Sequence, residues 1–359
     1  MSNDLSRKVG AMNFGATLKR GVVIGGIAMS GLVLGGPVGA TEPESSGENR
    51  LDSTLRRPVS TYSIVARDAE TGDFGVAVQS HWFQVGAVVP WAEAGVGAVA
   101  TQSFVEMSYG PKGLALMKEG LSAQEALDRL VKEDEQRDVR QVAMVDAKGR
   151  VAVWTGPKCI YAAGHAKGDG FSVQANLMDK DTVWPAMKKA FEEAEGDLAT
   201  RMLASMEAAQ AEGGDIRGKQ SAAILVVRAK PVAEPWLDRL VDLRVADHPH
   251  PLEEMRRLLG LHQAYNSMNE GDHAMAVGDV EKASKLYSQA AKLAPQIEEL
   301  PFWKAVTLFS VGQEDEALPI FKDVFERNDA WKRLIPRLTA PGLLPDDPKK
   351  IEKILGVVE

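Results

Sequence analysis

The sequence predicts an α+β fold: two antiparallel sheets stacked face to face and covered by helices, with a small all-α region at the end of the chain. Three observations carry this prediction. Short apolar runs come as strands, then helices, then strands, then helices, rather than in the one-by-one alternation of a parallel βαβ sheet. The runs are dotted with glycine and hardly interrupted by polar residues, as suits sheets buried on both faces. Near the end, a 34-residue spacing replaces strand patterning altogether.

The chain starts with a segment that is set apart from the fold. Arg7, Lys8, Lys19 and Arg20 precede the apolar run from Gly21 to Gly36, and Pro37-Val-Gly-Ala40 follows. These are the charged, hydrophobic and small-residue regions of a secretory signal. The run falls short of the roughly 20 residues that span a bilayer, so an uncleaved anchor is the weaker alternative. Residue 41 is threonine, which offers no cysteine for a lipid anchor. Residues 1–40 are therefore read as a signal peptide, and the expected location is periplasmic or secreted. Thr41 to Ser60 is polar and without periodicity, a linker or pro-segment.

Strands are predicted at Tyr62–Arg67, Phe74–Ser80 and Val96–Thr101, the first two joined by the hairpin turn Asp68-Ala-Glu-Thr-Gly-Asp73. Helices follow over Gly110–Glu119 and Ser122–Lys132, where Ser122 and Glu125 have capping-box spacing. Further strands are predicted at Arg140–Val145, Arg150–Trp154 and Phe171–Ala175, then helices over Val183–Glu195 and Asp197–Glu212. The apolar, β-branched run Ser221–Val227 reads as an interior strand, and Arg239–Val245 as another. A helix entered through Pro251 runs to about Met268. In the tail, Gly278 and Gly312, Ala283 and Ala317, and Tyr287 and Phe321 are each 34 residues apart, the tetratricopeptide spacing. The domains are thus 61–262, an αβ domain, and 263–359, a helical one.

Composition excludes several functions. The 359 residues carry a formal charge of −8, which becomes −11 once residues 1–40 are removed. An acidic chain has no electrostatic case for nucleic acid or an anionic membrane. Cys159 is the only cysteine, so no intramolecular disulfide exists, and between Lys158 and Ile160 it reads as a small buried hydrophobe. His248 and His250 are interleaved with prolines and read as the start of a helix rather than a metal pair. No P-loop, dinucleotide fingerprint or zinc pattern is present, and no cofactor or metal is expected.

Polar residues recur at the strand ends. His81 follows Ser80 after one core strand, and Thr101 and Gln102 end another. Asn176 follows a third, and Asp215, Arg217 and Gln220 lead into the Ser221–Val227 strand. A turn needs glycine but not a long guanidinium or amide. Together these groups point to a cleft edge, with Asp215 orienting Arg217 and Arg217 able to take a substrate carboxylate through two parallel bonds.

The stretches "TYSIVARDAETGDFGVAVQS", "GVGAVATQSF", "RQVAMVDAKGRVAVWTG" and "GGDIRGKQSAAILVV" resemble the Ntn-hydrolase-like family named domain of unknown function 1028, from about Thr61 to His262. The tail is similar to an extension that some members carry, labelled as peptidoglycan-binding. The resemblance implies a four-layer αββα sandwich and no settled substrate. Ntn hydrolases use a chain-terminal Thr, Ser or Cys whose α-amine serves as base. Thr61 and Ser63 are the candidate nucleophiles, with Asn176 or the backbone near Thr101 and Gln102 as oxyanion donors. Family members often have glycine before this asparagine, whereas Ala175 stands here. A cut between Ser60 and Thr61 would be required. Ser80, His81, Thr101, Gln102, Asp215, Arg217 and Gln220 are the candidate substrate-binding residues. Two functions follow: an exported hydrolase of amide or related C–N bonds, or a non-catalytic protein. The second would bind a peptide, a cell-wall fragment or a partner protein through the cleft and the repeats.

Overall fold

The computed structural model describes residues 58–358. The predicted signal peptide and nearly all of the 41–60 segment lie outside the described residues. Ten strands and ten α-helices follow: β1 (Thr61–Arg67), β2 (Phe74–Ser80), β3 (Pro90–Glu93), β4 (Gly97–Ser103), α1 (Tyr109–Lys118), α2 (Ala123–Glu133), β5 (Arg140–Asp146), β6 (Val151–Thr155), β7 (Gly164–Gly168), β8 (Phe171–Ala175), α3 (Val183–Glu193), α4 (Leu198–Ala211), β9 (Ser221–Val227) and β10 (Arg239–Val245). The helices of the last part are α5 (Pro251–Ala276), α6 (Val280–Leu293), α7 (Glu299–Ser310), α8 (Glu314–Arg327), α9 (Ala330–Leu334) and α10 (Pro348–Leu355).

The strands form two antiparallel sheets, a six-stranded one in the order β10-β9-β2-β1-β8-β7 and a four-stranded one in the order β3-β4-β5-β6. Period-two alternation then decides what each face meets. Tyr62, Ile64 and Ala66 of β1 share a buried cluster with Met187 of α3, Met202 and Met206 of α4 and Leu252 and Met255 of α5. The opposite face contributes Val65, Val76, Val78 and Leu225, which pack on Ala98, Ala100, Ala143 and Val145 of the smaller sheet. That sheet in turn buries Val99, Val142 and Met144 against Leu114, Met117, Leu127 and Leu130 of α1 and α2. At Gly97 a side chain is excluded outright: φ is +151°, and a Cβ would lie 2.1 Å from the Val145 carbonyl oxygen.

The capping box on α2 is present, with Ser122 Oγ accepting from Glu125 N at 3.2 Å and Glu125 Oε2 accepting from Ser122 N at 2.8 Å. Two strands that sequence patterning does not predict are β3 and β7. Both are edge strands, of sequence PWAE and GHAKG, and neither buries a continuous face. Pairing with β4 and β8 makes them strands, not local propensity.

The helix that begins at Pro251 also runs past its predicted end, continuously to Ala276. Gly271, within that extension, lies where a Cβ would meet the Tyr287 ring at 2.6 Å, so it serves close approach of α5 and α6. The boundary predicted at 262/263 falls inside this helix. Leu252, Met255 and Leu259 belong to the core beneath the larger sheet, while Ala264, Met268, Ala274 and Met275 belong to the core of the helical tail. In the tail, Gly278 and Gly312 both have positive φ (+83° and +88°) just before α6 and α8. Ala283 and Ala317, and Tyr287 and Phe321, are buried at matching positions of those two helices. Among the described residues no helix is long and apolar enough to cross a membrane.

Candidate functional site

Alternation also segregates the space between the sheets. One end is the apolar packing described above. The other end is polar, because Thr61 and Ser63 of β1, Ser80 of β2, Gln102 of β4, Gln141 of β5 and Ser172 and Gln174 of β8 are all fully buried there. Buried polar groups are tolerated when they satisfy one another, and these do. Ser63 Oγ donates to Gln102 Oε1 and accepts from Gln174 Nε2, each at 2.6 Å. Ser172 Oγ donates to Gln174 Oε1 at 3.1 Å. Gln102 Nε2 donates to Gln141 Oε1 at 2.7 Å and to the Thr61 carbonyl at 3.2 Å. Gln141 Nε2 donates to Ala175 O at 2.9 Å, Gly164 O at 3.2 Å and Thr155 Oγ1 at 2.9 Å, tying both sheets together.

Asn176 joins this network immediately after β8. Its Nδ2 donates to Gln141 Oε1 at 2.9 Å and weakly to Thr61 O at 3.4 Å. Those donors are therefore committed to positioning the head of β1. Its Oδ1 is buried and meets no hydrogen-bond partner among the described residues.

Thr61 stands at the end of the network, where β1 begins. Its Oγ1 lies 2.7 Å from Val59 O and 3.3 Å from Ser80 Oγ. The residues before it cross to the smaller sheet: Val59 N donates to Ser103 O at 2.7 Å and Ser103 N to Val59 O at 3.0 Å. The Ser60 carbonyl accepts two donors, Ser80 Oγ in a short bond and Arg217 Nη2 at 3.0 Å.

Arg217 and Asp215 sit on the loop between α4 and β9. Gly213, Gly214 and Gly218 have φ of +115°, +66° and +113°, which only glycine adopts readily, and this lets the loop fold back over the sheet end. It is tied down by Ile216 N to Leu177 O at 3.2 Å and Asp179 N to Gly214 O at 2.9 Å. Tyr62 OH supports it from beneath through Gln210 Oε1 at 3.1 Å, and Gln210 Nε2 donates to Gly213 O at 3.2 Å. Burial, and after it the Asp215 carboxylate, push the Tyr62 phenol well above its ordinary range, so it remains a neutral donor.

The Asp215 side chain is wholly buried and takes the Arg217 fork through Nε at 3.0 Å and Nη2 at 2.7 Å. It also accepts from the backbone N–H groups of Arg217 at 3.0 Å and His81 at 3.2 Å. The paired bonds expected for a substrate carboxylate are thus filled from within the chain. What Arg217 presents outward goes to main-chain carbonyls, Ser60 O and, at 3.4 Å through Nη1, Pro58 O. Lysine cannot reproduce two bonds to Asp215 together with a carbonyl contact. Arg217→Lys is expected to lower the unfolding free energy by about 1–2 kcal/mol, read by urea titration. Unchanged stability would mean that the pair contributes nothing beyond its charge.

Other candidates lie elsewhere. Thr101 points to the opposite face of β4, where its Oγ1 donates to Glu106 O at 3.0 Å, and its N–H is committed to Val89 O. Gln220 turns away to Asp247 Oδ1 at 3.0 Å. His81 has an exposed ring and contributes its backbone N–H. Cys159 donates to Arg140 O at 3.3 Å, and burial pushes its thiol up, the opposite of an activated nucleophile. His248 Nδ1 accepts from His250 N at 3.0 Å, and Pro251 opens α5. Among the described residues no group of three His, Cys, Asp or Glu could hold a metal. A cleft of about 620 Å³ runs along α6, lined by Glu281, Lys285, Gln289 and Lys292 among others, but it shares no residue with the polar network.

Gln141, Gln174 and Ser172 are members that the sequence reading passes over. The usable signal is period two: polar residues on one face of strands that are otherwise apolar and buried.

A model described as "Family of unknown function (DUF1028)" matches residues 61–255, more than half of the chain. The chain belongs to the DUF1028 family. The match begins at Thr61, the residue that heads β1 and the polar network. A crystal structure of a Silicibacter pomeroyi protein carrying the same family description is similar, at 27% identity and a TM-score of 0.50. The likeness covers 56% of this chain and 88% of that one. No curated protein matches.

Proposed function

We propose that this DUF1028 protein is an exported Ntn-type hydrolase of amide or related C–N bonds, built on a four-layer αββα sandwich, with Thr61 as its nucleophile. The observation that carries the reading is the treatment of the bond ahead of Thr61. The Ser60 carbonyl oxygen accepts from both Ser80 Oγ and Arg217 Nη2. Donors aimed at a carbonyl oxygen stabilise the oxyanion that develops when its carbon is attacked. Attack by Thr61 Oγ on the Ser60 carbon, with the Oγ proton passing to the departing amide nitrogen, would leave an ester. The Thr61 amine is free once that ester forms, and water would then cleave the ester and release the residues ahead of Thr61. That amine, with an ordinary pKa of about 8, is the base the hydroxyl needs. Ser63 is a poorer nucleophile, because its hydroxyl lies between the Gln102 and Gln174 amides, neither of which can take a proton.

A second reading has its own support. With residue 60 attached, Thr61 has no free amine, and Val59 is fully buried in place. An uncut chain would be a binding or scaffold protein. The tail, read as tetratricopeptide-like, would then dock a peptide, a cell-wall fragment or a partner. Intact mass of the mature protein separates the two: a chain beginning at Thr61 is expected, and one beginning at residue 41 would leave the hydrolase without its base.

A further inference from the structure

Pro58, Val59 and Ser60 lie at the head of the polar network, bridged to β4 in the antiparallel sense, and their seat is made of contacts that read peptide. Val59 exchanges both main-chain hydrogen bonds with Ser103 at the end of β4, at 2.7 and 3.0 Å. Ser103 holds a left-handed backbone, φ +70°, an unfavourable conformation for serine that the surrounding chain must maintain. The carbonyls of residues 58 and 60, two apart and so on one side of an extended chain, both meet Arg217, and Ser80 adds a second donor to the latter. The Val59 side chain is completely buried in the apolar cluster between the sheets, with Val85, Val89 and Ala100 among its members. Ser60 is also completely buried, and its Oγ meets no hydrogen-bond partner among the described residues. The position therefore selects a small side chain without requiring a hydroxyl. Pro58 is only partly buried, so the segment reaches the surface at its upstream end.

We infer that this seat is the acyl-side binding site of the protein: it takes an extended peptide with a compact branched apolar residue in the Val59 pocket and a small last residue against Thr61, and residues 58–60 block it in the uncut chain. Main-chain pairing supplies affinity and one buried pocket supplies selectivity, as in other strand-addition sites. As a statement about substrate, the inference rests on the hydrolase reading above. As a statement about binding, it does not.

The test uses the full chain. Val59→Asp places a charge where none can be buried and should expel residues 58–60 from the seat. The probe is the peptide acetyl-Arg-Arg-Pro-Val-Ser, labelled at its first residue, which reproduces residues 56–60. The unaltered uncut chain is expected to show no saturable binding, and the Val59→Asp chain to bind the probe. Replacing the probe's valine with aspartate, or its serine with tryptophan, should weaken binding about tenfold or more, the scale of losing one buried side chain's transfer energy. Val59→Gly, milder toward folding, serves as the second opened variant, and faster proteolysis within residues 50–60 reports release in either. A folded variant with the segment released that fails to bind, or binds the altered probes equally well, overturns the seat. Adding Thr61→Ala to the opened chain should leave binding intact. Probe binding without amide turnover by the chain cut at Thr61 would sink only the hydrolase reading, and turnover of small amides without probe binding only the peptide seat.

Discussion

Gln141→Leu is expected to destabilise the protein by about 3–5 kcal/mol, several times the cost of an ordinary surface change. The side chain is fully buried and makes five contacts, three as donor and two as acceptor. Leucine has nearly the same volume, so the loss comes from polar groups left behind. Gln102 Nε2 and Asn176 Nδ2 lose their acceptor at 2.7 and 2.9 Å, keeping only longer contacts to Thr61 O and, for Gln102, Gln174 O at 3.4 Å. The carbonyls of Gly164 and Ala175 lose a donor. Each buried group left unpaired costs about 1–3 kcal/mol, which outweighs the favourable transfer of the leucine side chain. Thr155→Val, which removes one of these acceptors and an exposed contact to His165 Nδ1 at 2.9 Å, serves as the comparison and should cost about 1 kcal/mol. Urea titration of both variants measures the difference. A loss below about 1 kcal/mol for Gln141→Leu would show that water fills the same role.

The strands that bury both faces were readable because their composition leaves no other assignment. Phe74–Ser80, Phe171–Ala175 and Ser221–Val227 have the predicted ends. The edge strands β3 and β7 were not, since PWAE and GHAKG carry no apolar alternation to read, whereas the edge strand β10, RLVDLRV, alternates and has its predicted ends. The site divides in the same way. Asp215 and Arg217 were legible as a pair because charge at the mouth of a core strand needs a reason. Their partners were not, because Ser60 O and Pro58 O are main-chain atoms brought there by a crossing between sheets. Thr101 and Gln102 are neighbours in sequence, yet alternation sends one to the network and the other to the helix side. Gln141 and Gln174 look like interior residues of apolar strands when each strand is read alone. Only the pairing of Gln102 with Gln141, and of Ser63 with Gln174, places them in one layer.

Thr61→Ala is expected to keep the fold and lose both self-cleavage and turnover. Its hydroxyl contributes one good hydrogen bond, to Val59 O at 2.7 Å, and a longer approach to Ser80 Oγ at 3.3 Å. Removing it should cost about 1 kcal/mol of stability, and the smaller alanine sits in a β1 position whose backbone pairing with Ser80 is unaffected. The chemical consequence is of another order, because no other hydroxyl can replace it. Ser80 Oγ is spent as a donor to the Ser60 carbonyl, and Ser63 is flanked by amides. Intact mass gives a readout that needs no substrate: the variant should retain residues ahead of position 61, while Thr61→Ser, which keeps the oxygen, should still be cut. Turnover of N-acyl amino-acid amides should fall to background in the alanine variant and persist in the serine one. A Thr61→Ala chain that still begins at residue 61 would show that another protease makes the cut, and residual turnover by that chain would remove Thr61 from the chemistry altogether.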